Sequence, residues 1–224
     1  MRTMMITDPK HQKSTGHSDR RVFLRHLLCL SRCASALPVA LTVSPAAHAA
    51  EMAGSVTYLK GHAAAQLSGG ARELAERAPV YISEMIKTEP NTRLGLRLGN
   101  RTTLRIGGST MIKLTKYLMD AGGEIDLEAG ALQFERTGPP AKTELNLRSP
   151  YGLIVVRGTR FFAGPSKGVF GVLVGSGRVT VTAAGVTVTL GPQQGTDIAR
   201  IGAAPSPPRP WGGARIAEAL QSIR

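Results

Sequence analysis

Glycine cuts most of this chain into short pieces, and between the glycines the residues alternate. Runs such as Arg93-Leu94-Gly95-Leu96-Arg97-Leu98 and Thr102-Thr103-Leu104-Arg105-Ile106 carry apolar side chains at every second position, the period of a strand covered on one face. Gly99, Gly107-Gly108, Gly122-Gly123, Gly130, Gly175, Gly177, Gly185, Gly191 and Gly195 interrupt these runs at short intervals, which leaves little room for helices of ordinary length. The pattern predicts an all-β unit of many short strands from Gly54 to about Ile201, arranged as a β-sandwich, barrel or β-solenoid. Predicted strands include Ser55–Leu59, Val80–Lys87, Leu94–Leu98, Thr102–Ile106, Leu153–Val156, Val169–Val174, Arg178–Thr182 and Val186–Leu190. A unit of this length buries a real core without disulfides.

Within that unit, Ser149-Pro150-Tyr151-Gly152-Leu153-Ile154-Val155-Val156-Arg157-Gly158-Thr159-Arg160-Phe161 is the densest pattern. Pro150 biases the residue before it toward extended geometry, and Gly152 admits a turn. Leu153 to Val156 suits a strand buried on both faces. Arg157 then delivers a guanidinium to the strand end, and Gly158-Thr159 turns the chain into Phe161-Phe162. Arg157 has two readings. It faces a ligand or partner, or it ties up strand-end carbonyls beside a carboxylate such as Glu144 or Asp197; the structural role is favoured. Tyr151, Phe161 and Phe162 are read as core rather than binding-site aromatics. A weaker echo links Ile125–Leu132 with Val172–Val179, each read as a strand ending in a small-residue turn.

The N-terminal 49 residues have a different character. Asp19-Arg20-Arg21-Val22-Phe23-Leu24-Arg25 resembles the twin-arginine export consensus S/T-R-R-x-F-L-K, with Arg20, Arg21, Phe23 and Leu24 matching and Asp19 at the Ser/Thr position. A moderately apolar stretch follows, and Ala47-His48-Ala49 supplies the small residues a signal peptidase needs, with cleavage before Ala50. Arg32 interrupts the apolar stretch, which argues against a permanent membrane span. The expectation is an exported, periplasmic protein with no membrane span in its mature chain.

Export changes the inventory of reactive groups. Cys29, Cys33 and four of the five histidines lie in the removed segment, leaving only His62 in a loop-like context. A thiol nucleophile, a cysteine zinc site and a disulfide framework are excluded from such a mature chain. No phosphate loop or haem attachment pair is present, so no cofactor is expected. The net charge of +13 falls to +8 without those residues. The remaining charges alternate with apolar residues, as on a solvated sheet face, and aromatics make up only 4% of the chain. Nucleic acid is therefore not an expected partner.

Residues 202–212 are proline-rich and read as a semi-rigid linker. Residues 213–224 read as a short amphipathic helix with Ile216, Leu220 and Ile223 on one face. This segment could dock on the sheet, meet a partner or lie on a membrane surface; docking is favoured.

The Val156-Arg157-Gly158-Thr159 core, with Pro150, Gly152 and Phe161 around it, resembles the FecR-domain signature T/S-P-x-G-x-x-x-V-R-G-T-x-F. Leu96–Ile106 resembles that family's L-x-L-x-D-G-S-x-L-x-L hairpin, with Gly99-Asn100 at the turn. Val174–Val179 and Gly191–Gly195 resemble its later strands. The resemblance spans residues 50–201 and implies a periplasmic, non-catalytic β module that binds another protein or an envelope component. Known members are inner-membrane regulators that pass signals from outer-membrane transporters to sigma factors. The region before Gly54 does not read as their cytoplasmic domain and spanning helix, so sigma-factor control is not carried over.

The leading expectation is thus a protein-binding, scaffolding or signal-sensing module of the cell envelope, its partner an envelope protein or cell-wall component. One alternative is a carbohydrate- or peptidoglycan-binding β domain, for which aromatics are few. Another is a hydrolase using Glu124, Asp126 and Glu128, whose two-residue spacing equally fits the wet side of a strand.

Overall fold

The computed structural model describes residues 51–67, 69–118, 122–138 and 143–224. Arg20, Arg21, Phe23, Leu24, Ala47 and Ala49, the predicted export and cleavage residues, lie outside them. Among the described residues sixteen strands form one hydrogen-bonded sheet, followed by one helix. In order they are β1 (Met52–Lys60), β2 (Ala63–Leu67), β3 (Gly70–Glu73), β4 (Pro79–Tyr81), β5 (Met85–Thr88), β6 (Arg93–Leu98), β7 (Thr102–Ile106), β8 (Met111–Leu118), β9 (Gly122–Ala129), β10 (Leu132–Arg136), β11 (Leu145–Ser149), β12 (Gly152–Ser166), β13 (Val169–Ala183), β14 (Val186–Leu190), β15 (Gln194–Ile198) and β16 (Arg209–Pro210), then α1 (Gly213–Gln221).

The long β12–β13 hairpin gives the sheet its shape. Its outer part, Leu153–Val156 with Val179–Thr182, lies between β11 and β14. Its inner part, Phe161–Ala163 with Val172–Val174, lies between β10 and β15. The register shifts twice between Gly158 and Phe161, and bulges of this kind bend a strand and increase its twist. The hairpin therefore divides the sheet into two halves. One runs β3-β2-β5-β8-β9-β11 and on to β14; the other runs β4-β1-β6-β7-β10 and on to β16. Among the described strands only β9 and β11 pair in parallel.

The halves meet across one core. Ile112, Ile125, Leu147, Ile154 and Val181 of the first half share it with Leu96, Leu104, Phe134, Phe161 and Val172 of the second. Tyr151, at the β11–β12 turn, stacks on Phe170 at the start of β13, ring centroids 4.4 Å apart. The fold is thus one bent sheet around a shared core, all-β as the alternation predicts.

Several local readings need correction. Val80–Lys87 is not one strand, because Ser83 adopts φ +66° and breaks it between β4 and β5. Gly175-Ser176-Gly177 is not a turn but lies inside β13, so its echo with the true turn at Gly130 is superficial. Residues 202–212 do not form a free linker: Pro205 is buried, Ser206 bonds to Thr196 and Asp197, and β16 pairs with β15.

Candidate functional site

The motif residues divide between the core and the surface. Ser149 accepts the Tyr151 N–H (3.3 Å) and donates to the Gly152 carbonyl (3.1 Å), which fixes the β11–β12 turn with Pro150 exposed at its tip. Gly152 has φ +152°, and a Cβ there would lie 2.5 Å from the Thr182 carbonyl oxygen, so only glycine fits. Val156 and Phe161 are buried, and Phe161 stacks on Phe134 at 5.6 Å. Gly158 pairs with Gly177 at the first register shift, and Thr159 follows it within the bend. Arg157 points outward, 75% exposed, and donates from Nε to Glu144 rather than to strand-end carbonyls.

Other candidate groups are dispersed. His62 is exposed at the β1–β2 turn, where its backbone, not its ring, bonds to Thr92. Glu124 pairs with Arg148 at 2.8 Å, Asp126 accepts from Thr115 at 2.6 Å, and Glu128 is exposed. Among the described residues there is no group of three or more His, Cys, Asp or Glu placed to hold a metal, and no helix long and apolar enough to cross a membrane.

The C-terminal segment walls a concavity on the sheet. Trp211, only 6% exposed, lies on the outer face of the second half against Gly171 and Gly195. It joins Phe162, Leu173, Ala131, Ala219 and Ile223 in a second apolar cluster, with Ile216 and Leu220 packed against it. This works because β12 and β13 alternate: Phe161 and Val172 face the main core, so Phe162 and Leu173 face the helix. Arg215 covers the indole at 3.7 Å and grips Asp197 with bonds of 2.6 and 3.1 Å. Arg215 also donates to Ser166 (3.0 Å), and Arg209 adds a third bond to Asp197 at 2.5 Å. Burial pushes the Asp197 carboxyl up, but the hydrogen bonds and charges of Arg215 and Arg209 outweigh it and hold the group below the ordinary 3.8. At the far end of the helix, Arg93 donates to the Gln221 and Arg224 carbonyls (3.2 and 2.8 Å), a cation at the negative end of the dipole.

Between α1 and the sheet lies a groove of about 620 Å³, within the range of ligand-sized sites. Phe162, Leu173, Ile216 and Leu220 supply its apolar lining, and Arg105, Arg160 and Arg224 face one acidic side chain, Glu135. Glu135 is already paired with Arg160 at 2.7 Å, so the lining keeps a positive excess. Arg105 makes a long contact with Gln133 (3.4 Å). A smaller concavity of about 310 Å³ beside Tyr58 shares Arg105 and Arg224 with the groove. In the sequence Phe162 reads as core, and Ile216 and Leu220 as a face that docks on the sheet. Arg105 on β7 and Arg160 on β12 read as a solvated sheet face.

A model of the family described as FecR protein matches residues 84–180. Residues 84–180 carry a FecR domain. Two crystal structures of a candidate anti-sigma factor from Parabacteroides distasonis share its fold, each with a TM-score of 0.51 at 16% identity. Each alignment covers 61% of this chain and 64% of the other, so the chain spans less than two thirds of that protein's length. No curated protein matches the sequence. The FecR match supplies the groove's floor, including Arg105, Glu135, Arg160, Phe162 and Leu173, whereas Trp211, Ile216 and Leu220 come from beyond it.

Proposed function

We propose that the protein is a non-catalytic signal-sensing and scaffolding module of the cell envelope that holds a segment of a partner protein in the groove between α1 and its FecR domain. The observation that carries this reading is the groove's make-up: an apolar lining beneath three arginines and one already paired acidic side chain. Such a site accepts an apolar side chain with a neighbouring carboxylate, which a protein segment supplies. A sugar-binding site would present an open aromatic face, whereas Trp211 is enclosed between glycine backbone and Arg215. In this account the protein reaches the periplasm behind residues 1–49, is cleaved before Ala50, and folds as a β unit over residues 50–201 with the C-terminal segment clasped to it. The test combines mass spectrometry of the mature N-terminus with recovery of envelope proteins on a C-terminally tagged chain. A terminus at Ala50 and a partner lost on Arg105→Glu support the proposal. Unprocessed protein in the cytoplasm, or a partner indifferent to Arg105→Glu, contradicts it.

A further inference from the structure

Among the described residues the sheet ends in four edge strands, β3, β4, β14 and β16. An unpaired edge is a template for another strand, and proteins usually blunt it with charge, proline or shortness. Three of the four are blunted here. β3 carries Arg72 and Glu73, β4 is three residues beginning at Pro79, and β16 is Arg209-Pro210. β14 differs. Its five residues, Val186-Thr187-Val188-Thr189-Leu190, contain no charge and no proline, and their β-branched side chains suit pairing.

The hairpin fixes which backbone groups this edge offers. Ala184 and Gly185 form a two-residue turn with φ +49° and +76°, as a tight hairpin requires. Ala183 and Val186 then form the hydrogen-bonded pair next to the turn, and the pattern alternates along the ladder. Val188 and Leu190 therefore spend their amides on β13, while the N–H and C=O groups of Thr187 and Thr189 point away from the sheet. Both threonines are exposed, and Val186 is 43% exposed.

Charge beside the edge selects what pairs there. Arg157 and Arg178 sit directly opposite each other on β12 and β13, a like-charge pairing that weakens a sheet. Among the described residues Glu144 pairs with Arg157. With Thr180, Val155 and Thr189 these residues line an open basin of about 430 Å³ that reaches β14. Acidic side chains arriving there relieve the arginine pair.

We propose that β14 is a docking edge for an extended, acidic segment of a partner protein, added as a further strand with carboxylates directed toward Arg178 and Arg157. The site belongs to the first half of the sheet and does not depend on the groove reading.

The test measures hydrogen exchange of the full chain with a capped heptapeptide of alternating valine and glutamate, and with its lysine counterpart. With the glutamate peptide the Thr187 and Thr189 amides slow by about tenfold or more, and the lysine peptide has no effect. Arg178→Glu reverses that preference. Thr189→Pro removes an outward donor without touching the β13 ladder and abolishes protection. Three results overturn the proposal: no protection by either peptide, equal protection by both, or concentration-dependent protection without peptide, which is pairing between two copies of this chain.

Discussion

Arg215 lies 3.7 Å from the centre of the Trp211 ring while its guanidinium grips Asp197. One side chain thus joins a buried indole, a carboxylate of β15 and the helix that walls the groove. Trp211 is the only tryptophan in the sequence, so its fluorescence reports on this clasp directly.

Asp197→Asn removes the charge that balances Arg215, whose side chain is only 10% exposed. Breaking such a buried pair from one side costs on the order of 3 kcal/mol. Urea unfolding should show that loss, with Trp211 emission shifted to the red in the absence of denaturant. An unchanged midpoint would mean that the pair contributes nothing to the clasp.

Acid should open the same clasp. Asp197 has a lowered folded-state pKa, so its contribution is fully present above the ordinary aspartate value of 3.8 and is lost as pH falls through the lower folded value. Trp211 emission should therefore stay constant from neutral pH down to about 4 and change below it. Asp197→Asn should remove that transition.

Gly195 has room for no side chain. A Cβ would lie 2.3 Å from Trp211 Nε1 and 2.7 Å from the Val172 carbonyl oxygen. Gly195→Ala should destabilise the fold by about 1–3 kcal/mol, measurable by thermal unfolding, and displace the indole.

The motif residues should separate by burial. Phe161→Ala leaves a cavity beside Phe134 and should cost about 3–5 kcal/mol. Arg157→Ala removes an exposed ion pair and should cost about 1 kcal/mol or less. Denaturant titration of the two variants measures both effects, and a large loss from Arg157→Ala would show the arginine holding the bend.

The strand pattern was legible because alternation records which face is covered: Leu94, Leu96 and Leu98 are all buried. β2 and β3 were missed because Ala63-Ala64-Ala65 and Gly70-Ala71 lack the β-branched residues that mark strands. Gly158-Thr159 and Gly175–Gly177 read as turns because glycine marks bulges and turns alike. The groove was not legible either. Its arginines sit on separate strands, and the proline-rich tail gave no local sign that Trp211 seats on Gly195. Only the paired register of β13 and β15 brings Leu173 beside Gly195 and so prepares that seat.

The most direct test of the groove is in-cell photo-crosslinking, with a photoreactive amino acid at position 105 and, as control, at Lys167 on the exposed β12–β13 turn. The account predicts one discrete envelope-protein adduct from position 105 that disappears with Leu220→Asp, and none from position 167. The same adduct from both positions, or none from position 105, would contradict it.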